Sequence, residues 1–272
     1  MEIISVGSSS SGNSYIITSG SRTIILDAGL PAKKIKGALE ELGREPADVD
    51  AVLVTHEHID HVRSVRAISR CCINAEFYAS RGTAESAESF RHVPEERLRV
   101  ISAGETVPLG RDPEIMISAF PLSHDAAEPV GFVIESDGEK TAVVTDSGVV
   151  TEDIFEAVRD AGQIVLEANH DVDMLMFGEY PYPVKVRIKG DSGHLSNESA
   201  GETLVRMLEC RKNREGRPLR VMLAHLSFHN NIPLFARQTV EDRLHDSGFI
   251  RGRDYVLEVA AKEGLTFMPG DE

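Results

Sequence analysis

Short apolar runs alternate with polar breaks along the whole chain, and their period switches between two and about 3.6 residues. Ile3 to Val6, Tyr15 to Thr18 and Thr23 to Leu26 read as strands, with Ser19-Gly20-Ser21 as the turn between the last two. Pro31 to Leu42 carries an amphipathic pattern that predicts a helix, with Pro31 in its first turn and Gly43 just past its end. A strand (Ala51 to Thr55), a helix (Asp60 to about Arg70), a strand (Glu76 to Ala79) and a helix (Gly82 to Phe90) follow. The middle returns to strands at Arg97 to Ile101, Glu114 to Phe120, Gly131 to Ser136 and Lys140 to Thr145, with Asp137-Gly138 as a hairpin turn. Thr151 caps a helix to Ala161, and Gln163 to Glu167 is a strand. The pattern closes with a helix from Asn197 to Cys210, a strand from Leu219 to Ala224, a helix from Pro233 to His245 and a strand from Tyr255 to Val259. No low-complexity linker or short repeat interrupts it. Strand-rich blocks followed by helices in both halves predict two sheets packed together with helices outside, in one domain over residues 1–272.

Composition narrows the class. No apolar run approaches membrane-spanning length, and Met1-Glu2-Ile3-Ile4-Ser5-Val6 has neither the basic nor the long apolar region of a secretory signal. Cys71, Cys72 and Cys210 are odd in number and two are adjacent, which is no disulfide framework. They read as packing residues, and the expected location is cytoplasmic. The net charge of -15 opposes nonspecific nucleic-acid binding by the bulk surface. Three basic clusters break the acidity: Arg63, Arg66 and Arg70 at helical spacing; Lys185, Arg187 and Lys189; and five Arg and one Lys between Arg206 and Arg220. Each reads either as a solvated face or as a track for phosphates.

The chemistry concentrates in Thr55-His56-Glu57-His58-Ile59-Asp60-His61, which follows an apolar strand. Alternate residues of an extended segment share a face, so His56 and His58 point one way while Asp60 and His61 open the next segment. Three more candidates end predicted strands: His124 after Pro121-Leu122-Ser123, Asp146 after Ala142-Val143-Val144-Thr145, and His225 after Val221-Met222-Leu223-Ala224. Rigid β-structure can hold such ligands in place. Imidazole and carboxylate without cysteine suit zinc, manganese or iron, and the count of ligands predicts two divalent ions.

A His-x-His-x-Asp-His motif after a strand, then His, Asp and His at strand ends, resembles the metallo-β-lactamase superfamily. That resemblance implies an αββα sandwich, an α/β fold of two mixed sheets flanked by helices. It implies that His56, His58 and His124 hold one metal and that Asp60, His61 and His225 hold the other, with Asp146 bridging. It gives Asp27, in Leu26-Asp27-Ala28-Gly29, the task of supporting the metal loop from behind the ligands. Gly7-Ser8-Ser9-Ser10-Ser11-Gly12-Asn13-Ser14, Leu166-Glu167-Ala168-Asn169-His170-Asp171, Gly193-His194-Leu195-Ser196-Asn197 and His225-Leu226-Ser227 resemble the YycJ/WalJ branch. Its members are regarded as 5′-to-3′ exonucleases on double-stranded DNA, so DNA is the implied substrate. Phe228 and His229 depart from the more hydrophilic residues of that branch.

The implied mechanism is attack of a metal-bridged hydroxide on phosphorus, with Asp60 taking up its proton and His194 protonating the leaving oxygen as general acid. The Ser-rich segment reads as a loop that can hold a phosphate, with Ser11 and Asn13 as candidate contacts, and His170 and His229 are further ones. His92 and His245 receive no role. Two other functions stay open: hydrolysis of a carbon ester, as in lactonases or thioesterases of the same fold, and a non-catalytic metal-binding scaffold.

Overall fold

A computed structural model describes residues 1–109, 112–211 and 216–270. It divides into two compact units. The first comprises Met1–Pro121, Ala126–Gly138 and Ala261–Phe267, and the second Leu122–Asp125, Glu139–Ala260 and Met268–Glu272.

In the first unit β1 (Glu2–Ser9), β2 (Gly12–Ser19) and β3 (Arg22–Leu26) run antiparallel, and β3 pairs in parallel with β4 (Ala51–Leu53). β5 (Glu76–Ala79) and β6 (Leu98–Val100) extend the parallel side, and Thr266–Phe267 adds an antiparallel edge on β1. This sheet is therefore mixed. A further antiparallel set comprises β7 (Thr106–Leu109), β8 (Asp112–Pro121) and β9 (Val130–Ser136). The core gathers Ile25, Leu39, Ile68 and Phe77, all fully buried, each stabilising the fold by about 1.5–3 kcal/mol. Helix α1 (Ala32–Glu41) turns Ile35, Ala38 and Leu39 inward, as its amphipathic pattern predicts. The register Leu26↔Leu53↔Tyr78 brings Asp27 and the Thr55–His61 segment out at the same edge.

In the second unit β10 (Glu139–Val144), β11 (Gln163–Glu167), β12 (Leu219–Ala224) and β13 (Tyr255–Val259) are all parallel. Parallel neighbours need long crossovers. These carry α5 (Glu152–Val158), then α8 (Asn197–Arg211), then α9 (Pro233–Asp246). The register Val144↔Leu166 and Glu167↔Ala224 aligns the C-terminal ends, so Asp146, Glu167 and His225 emerge together.

The strands and long helices match the pattern read from sequence, with Thr151 accepting the Ile154 N–H as the helix cap. Several elements differ. The helix expected from Asp60 to Arg70 is two: α2 (Ile59–Val62) and α3 (Val65–Cys71). Ser64 breaks it, because its N–H donates to Ala28 and its hydroxyl to Leu30. The helix expected to reach Phe90 stops at Ser86 as α4 (Arg81–Ser86), and a 3-10 turn (Glu88–His92) follows. The Ser-rich segment is a hairpin rather than a loop, with Gly7↔Ser14, Ser8↔Asn13 and Ser9↔Gly12 paired. The strand Thr106–Leu109 and the helices α6 (Val172–Phe177) and α7 (Tyr182–Lys189) have no counterpart among the elements the pattern predicts. No described helix is long and apolar enough to cross a membrane.

Candidate functional site

Besides Asp137 in the β9–β10 hairpin turn (φ 53°), three described non-glycine residues take the left-handed conformation: Asp27 after β3 (φ 59°), Asp146 after β10 (φ 61°) and His225 after β12 (φ 55°). Such a conformation costs about 1–3 kcal/mol per residue and persists where the surroundings over-determine it. All three are candidate site residues from the sequence.

In the first unit, buried Asp27 organises the His-rich segment. Its carboxylate accepts the Thr55 N–H at 2.9 Å, the Thr55 hydroxyl at 3.0 Å and His61 Nδ1 at 2.7 Å. With that hydroxyl proton given to Asp27, Thr55 Oγ1 accepts from His56 Nδ1 at 3.0 Å. The tautomers follow. His56 and His61 carry their protons on Nδ1 and present Nε2 as lone pairs. His56 Nε2 meets His58 Nδ1 at 3.1 Å, and His61 Nε2 stands 3.4 Å from Asp60 Oδ2. Converging lone pairs beside a carboxylate are what a divalent ion requires.

The loop is held by backbone contact. His61 C=O accepts from Ala28 N–H, and a Cβ built on Gly29 would lie 1.5 Å from the Asp60 carbonyl oxygen. Gly29→Ala therefore displaces Asp60 and His61. It is expected to cost at least about 2 kcal/mol, read as a lower unfolding midpoint, and to lower the metal retained after dialysis.

In the second unit, Glu167 is fully buried and accepts four hydrogen bonds. His225 Nδ1 (2.7 Å) and His194 Nδ1 (2.8 Å) reach Oε1, and the N–H groups of Ser147 (2.9 Å) and Leu195 (3.3 Å) reach Oε2. Both imidazoles thus keep Nε2 for other work. Asp146 Oδ1 stands 3.5 Å from His225 Nδ1, 3.7 Å from His194 Nδ1 and 3.8 Å from His124 Nε2. His124 Nδ1 donates to the Gly193 carbonyl at 3.1 Å, again leaving Nε2 as the lone pair. Gly193 is required there, since a Cβ would lie 2.2 Å from the Ile188 carbonyl oxygen. Asp146, Glu167, His194 and His225 bring ligand-type atoms within 4.8 Å of one another.

Burial opposes ionisation of Glu167, but the charge and hydrogen bonds of His194 and His225 outweigh it and hold its carboxyl down at about 2. Burial likewise opposes the imidazolium of His194, but the adjacent Glu167 carboxylate, aided by Asp146, holds it above the ordinary histidine value. His170 goes the other way. Burial drives it from 6.5 to about 4, and its Nδ1 has no hydrogen-bond partner. The unfolded chain therefore binds the extra proton between pH 6.5 and about 4, so His170 makes stability fall as pH drops through that window. Urea titrations are expected to show a loss of up to about 3 kcal/mol there, and His170→Gln to flatten the slope. A slope unchanged in the variant would remove His170 as its source.

The sequence candidates thus fall into two groups: Asp27, His56, His58, Asp60 and His61 in the first unit, and His124, Asp146, His194 and His225 in the second. Ser11 is exposed at the hairpin tip, whereas Asn13 is buried. Its amide bonds Ser8 and Ser9 and lies 3.3 Å from His61 Nε2. His170 is buried, and exposed His229 packs beside Tyr180 at 5.6 Å between ring centroids. Glu167, Thr55 and Gly193 were not singled out from the sequence. The available signal for Glu167 was an acid closing the otherwise apolar Ile164-Val165-Leu166.

Residues 22–213 match the model of the β-lactamase superfamily domain. Exodeoxyribonuclease WalJ of Streptococcus pneumoniae is 34% identical over 92% of this chain and 90% of its own length. Exodeoxyribonuclease YycJ of Bacillus anthracis is 31% identical over 93% of this chain and 92% of its own. YhfI of Bacillus subtilis, a metallo-β-lactamase fold protein, superposes with a TM-score of 0.69 over 97% of this chain and 98% of its own, at 13% identity. The expected fold, two mixed sheets flanked by helices, is the fold of these neighbours.

Proposed function

The chain belongs to the β-lactamase superfamily and to its WalJ/YycJ branch, and from that premise we propose that it is a two-metal nuclease that digests double-stranded DNA from the 5′ end. It is a metal-dependent hydrolase. The observation that supports it most is the buried Glu167 carboxylate, which orients His194 and His225 together. The donor sets of both units fit divalent ions, since His56, His61, His124 and His225 all keep Nε2 as a lone pair, and His58 Nδ1 faces His56 Nε2. His56, His58 and His124 would hold one ion and Asp60, His61 and His225 the other, with Asp146 shared. This division comes from the family resemblance. Zinc, manganese or iron bound there supplies an activated water and charge to offset the phosphate.

The chain's own residues supply the proton traffic. Asp60 accepts the proton that the attacking water loses. His194 holds Nδ1–H toward Glu167 and delivers its second proton from Nε2 to the departing sugar oxygen. Its raised affinity for protons suits that task near neutral pH. Ser11 and His229, both exposed, stand as substrate contacts, while buried Asn13 positions Ser8 and Ser9, and His170 is buried. Residues 1–272 act as one catalytic domain, and the cysteine pattern favours the cytoplasm. Metal analysis after loading with zinc or manganese tests the reading. It predicts about two ions per chain; a fully loaded protein holding none or one contradicts it.

A further inference from the structure

The three basic clusters do not have equal freedom. Lys185 Nζ donates to the carbonyls of Met176 and Gly178, and Arg187 forms a 2.6 Å ion pair with Asp125. Arg206 pairs with Glu152, Arg211 donates to the Ala161 carbonyl, and Arg220 donates to the Pro269 carbonyl. Residues 212–215 of that last cluster lie outside the described residues. Arg63, Arg66 and Arg70 are different. All three are exposed, and among the described residues none has an ion pair or a side-chain hydrogen bond. This is notable in a chain with 44 acids against 29 Lys and Arg. Arg22, Arg99, Arg159, Arg237 and Arg243 all meet a carboxylate.

Placement adds direction. Arg63 closes α2, the helix that carries Asp60 and His61, with helical backbone of its own. In α3 the buried side is Val65, Ile68 and Ser69, which leaves Arg66 and Arg70 on the outer side. Spacing of four residues keeps Arg66 and Arg70 on one face of α3, and Arg63 stands at the end of α2, just before the break at Ser64. The four helical residues from Arg66 to Arg70 advance about 6 Å. One DNA strand carries a phosphate every ~3.4 Å along the duplex axis, so the Arg66–Arg70 face spans about two phosphates, and Arg63 adds a third cation beside it. With a net charge of -15 the distant field repels DNA, and attraction has to come from local cations. The guanidinium fork suits phosphate oxygens.

We propose that Arg63, Arg66 and Arg70 form a nucleic-acid track that meets the phosphates of one strand beside the His61 end of the metal motif. This deepens the nuclease reading and rests on it for the choice of nucleic acid over another polyanion. The test is a binding measurement, so it does not depend on turnover. Metal-loaded protein is titrated into fluorescein-labelled duplex DNA with phosphorothioate ends, by anisotropy, over a series of NaCl concentrations. The slope of log affinity against log salt is about -0.9 per phosphate neutralised. The variant Arg63→Gln/Arg66→Gln/Arg70→Gln is expected to flatten it by about 2 to 3. Arg159→Gln/Arg243→Gln/Arg253→Gln removes the same charge from ion-paired positions and is expected to keep the slope. The proposal is overturned by equal slopes in the two variants, or by loss of binding to anionic vesicles with DNA binding intact. Wild-type protein that binds DNA through the track but cuts no phosphodiester would refute the nuclease reading alone.

Discussion

His194→Ala is expected to lower cleavage of duplex DNA by about 10²- to 10⁴-fold, the usual contribution of a general acid. The metal content is expected to stay at the wild-type level, because Glu167 still receives His225 Nδ1 at 2.7 Å. The discriminating substrate is bis(p-nitrophenyl) phosphate. Nitrophenolate leaves without a proton, so the variant is expected to lose less than about tenfold on it. A purely structural His194 would lower both activities together. Full turnover of DNA by the variant would remove the role altogether. The residue has the connections that the role needs. Glu167 fixes Nδ1 and raises the affinity for the second proton, against a burial that alone would lower it.

Glu167→Gln carries the second large effect. The carboxylate accepts four donors through two oxygens. A glutamine has one carbonyl oxygen, and its NH₂ must face either the two imidazole N–H groups or the N–H groups of Ser147 and Leu195. At least one donor is left unsatisfied, at about 1–3 kcal/mol each. With the NH₂ toward the imidazoles, the two tautomers that the site needs lose their anchor; with it toward Ser147 and Leu195, the backbone that carries Asp146 and His194 is disturbed and a neutral oxygen replaces the charge that orients them. Weaker metal retention, by about 10- to 100-fold, and a fall of at least about 100-fold in kcat/KM are expected. Dialysis against graded chelator concentrations followed by metal analysis measures the first. A Glu167→Gln protein with wild-type metal affinity would mean that His225 is oriented by something other than this carboxylate.

Much of this was legible in the sequence, for physical reasons. Buried parallel strands read as continuous apolar runs, so Ala142-Val143-Val144 and Val221-Met222-Leu223 stood out, and with them the polar residues that end each run, Asp146 and His225. Glu167 did not stand out, although the segment around it carried the family resemblance. An acid that ends a strand reads equally as a solvated terminus, and only its burial with four donors shows otherwise. The hairpin tipped by Ser10-Ser11 has the composition of a loop because its inward residues Ser8, Ser9, Asn13 and Ser14 are polar, and Ser8, Ser9 and Asn13 bond one another inside. Helix α7 left no signal because it buries none of its residues and so has no apolar stripe. The break at Ser64 depends on carbonyls of Ala28 and Leu30, far off in sequence. The left-handed backbone of Asp27, Asp146 and His225 is likewise a property of the folded edges.

End-labelled duplex DNA reports metal-dependent hydrolysis of a phosphodiester. Manganese- or zinc-loaded protein is expected to shorten the duplex from its 5′ ends, and chelated protein is expected to leave it intact. Loaded protein that hydrolyses a lactone or a thioester while leaving DNA, RNA and a cyclic nucleotide untouched would be an esterase and not a nuclease.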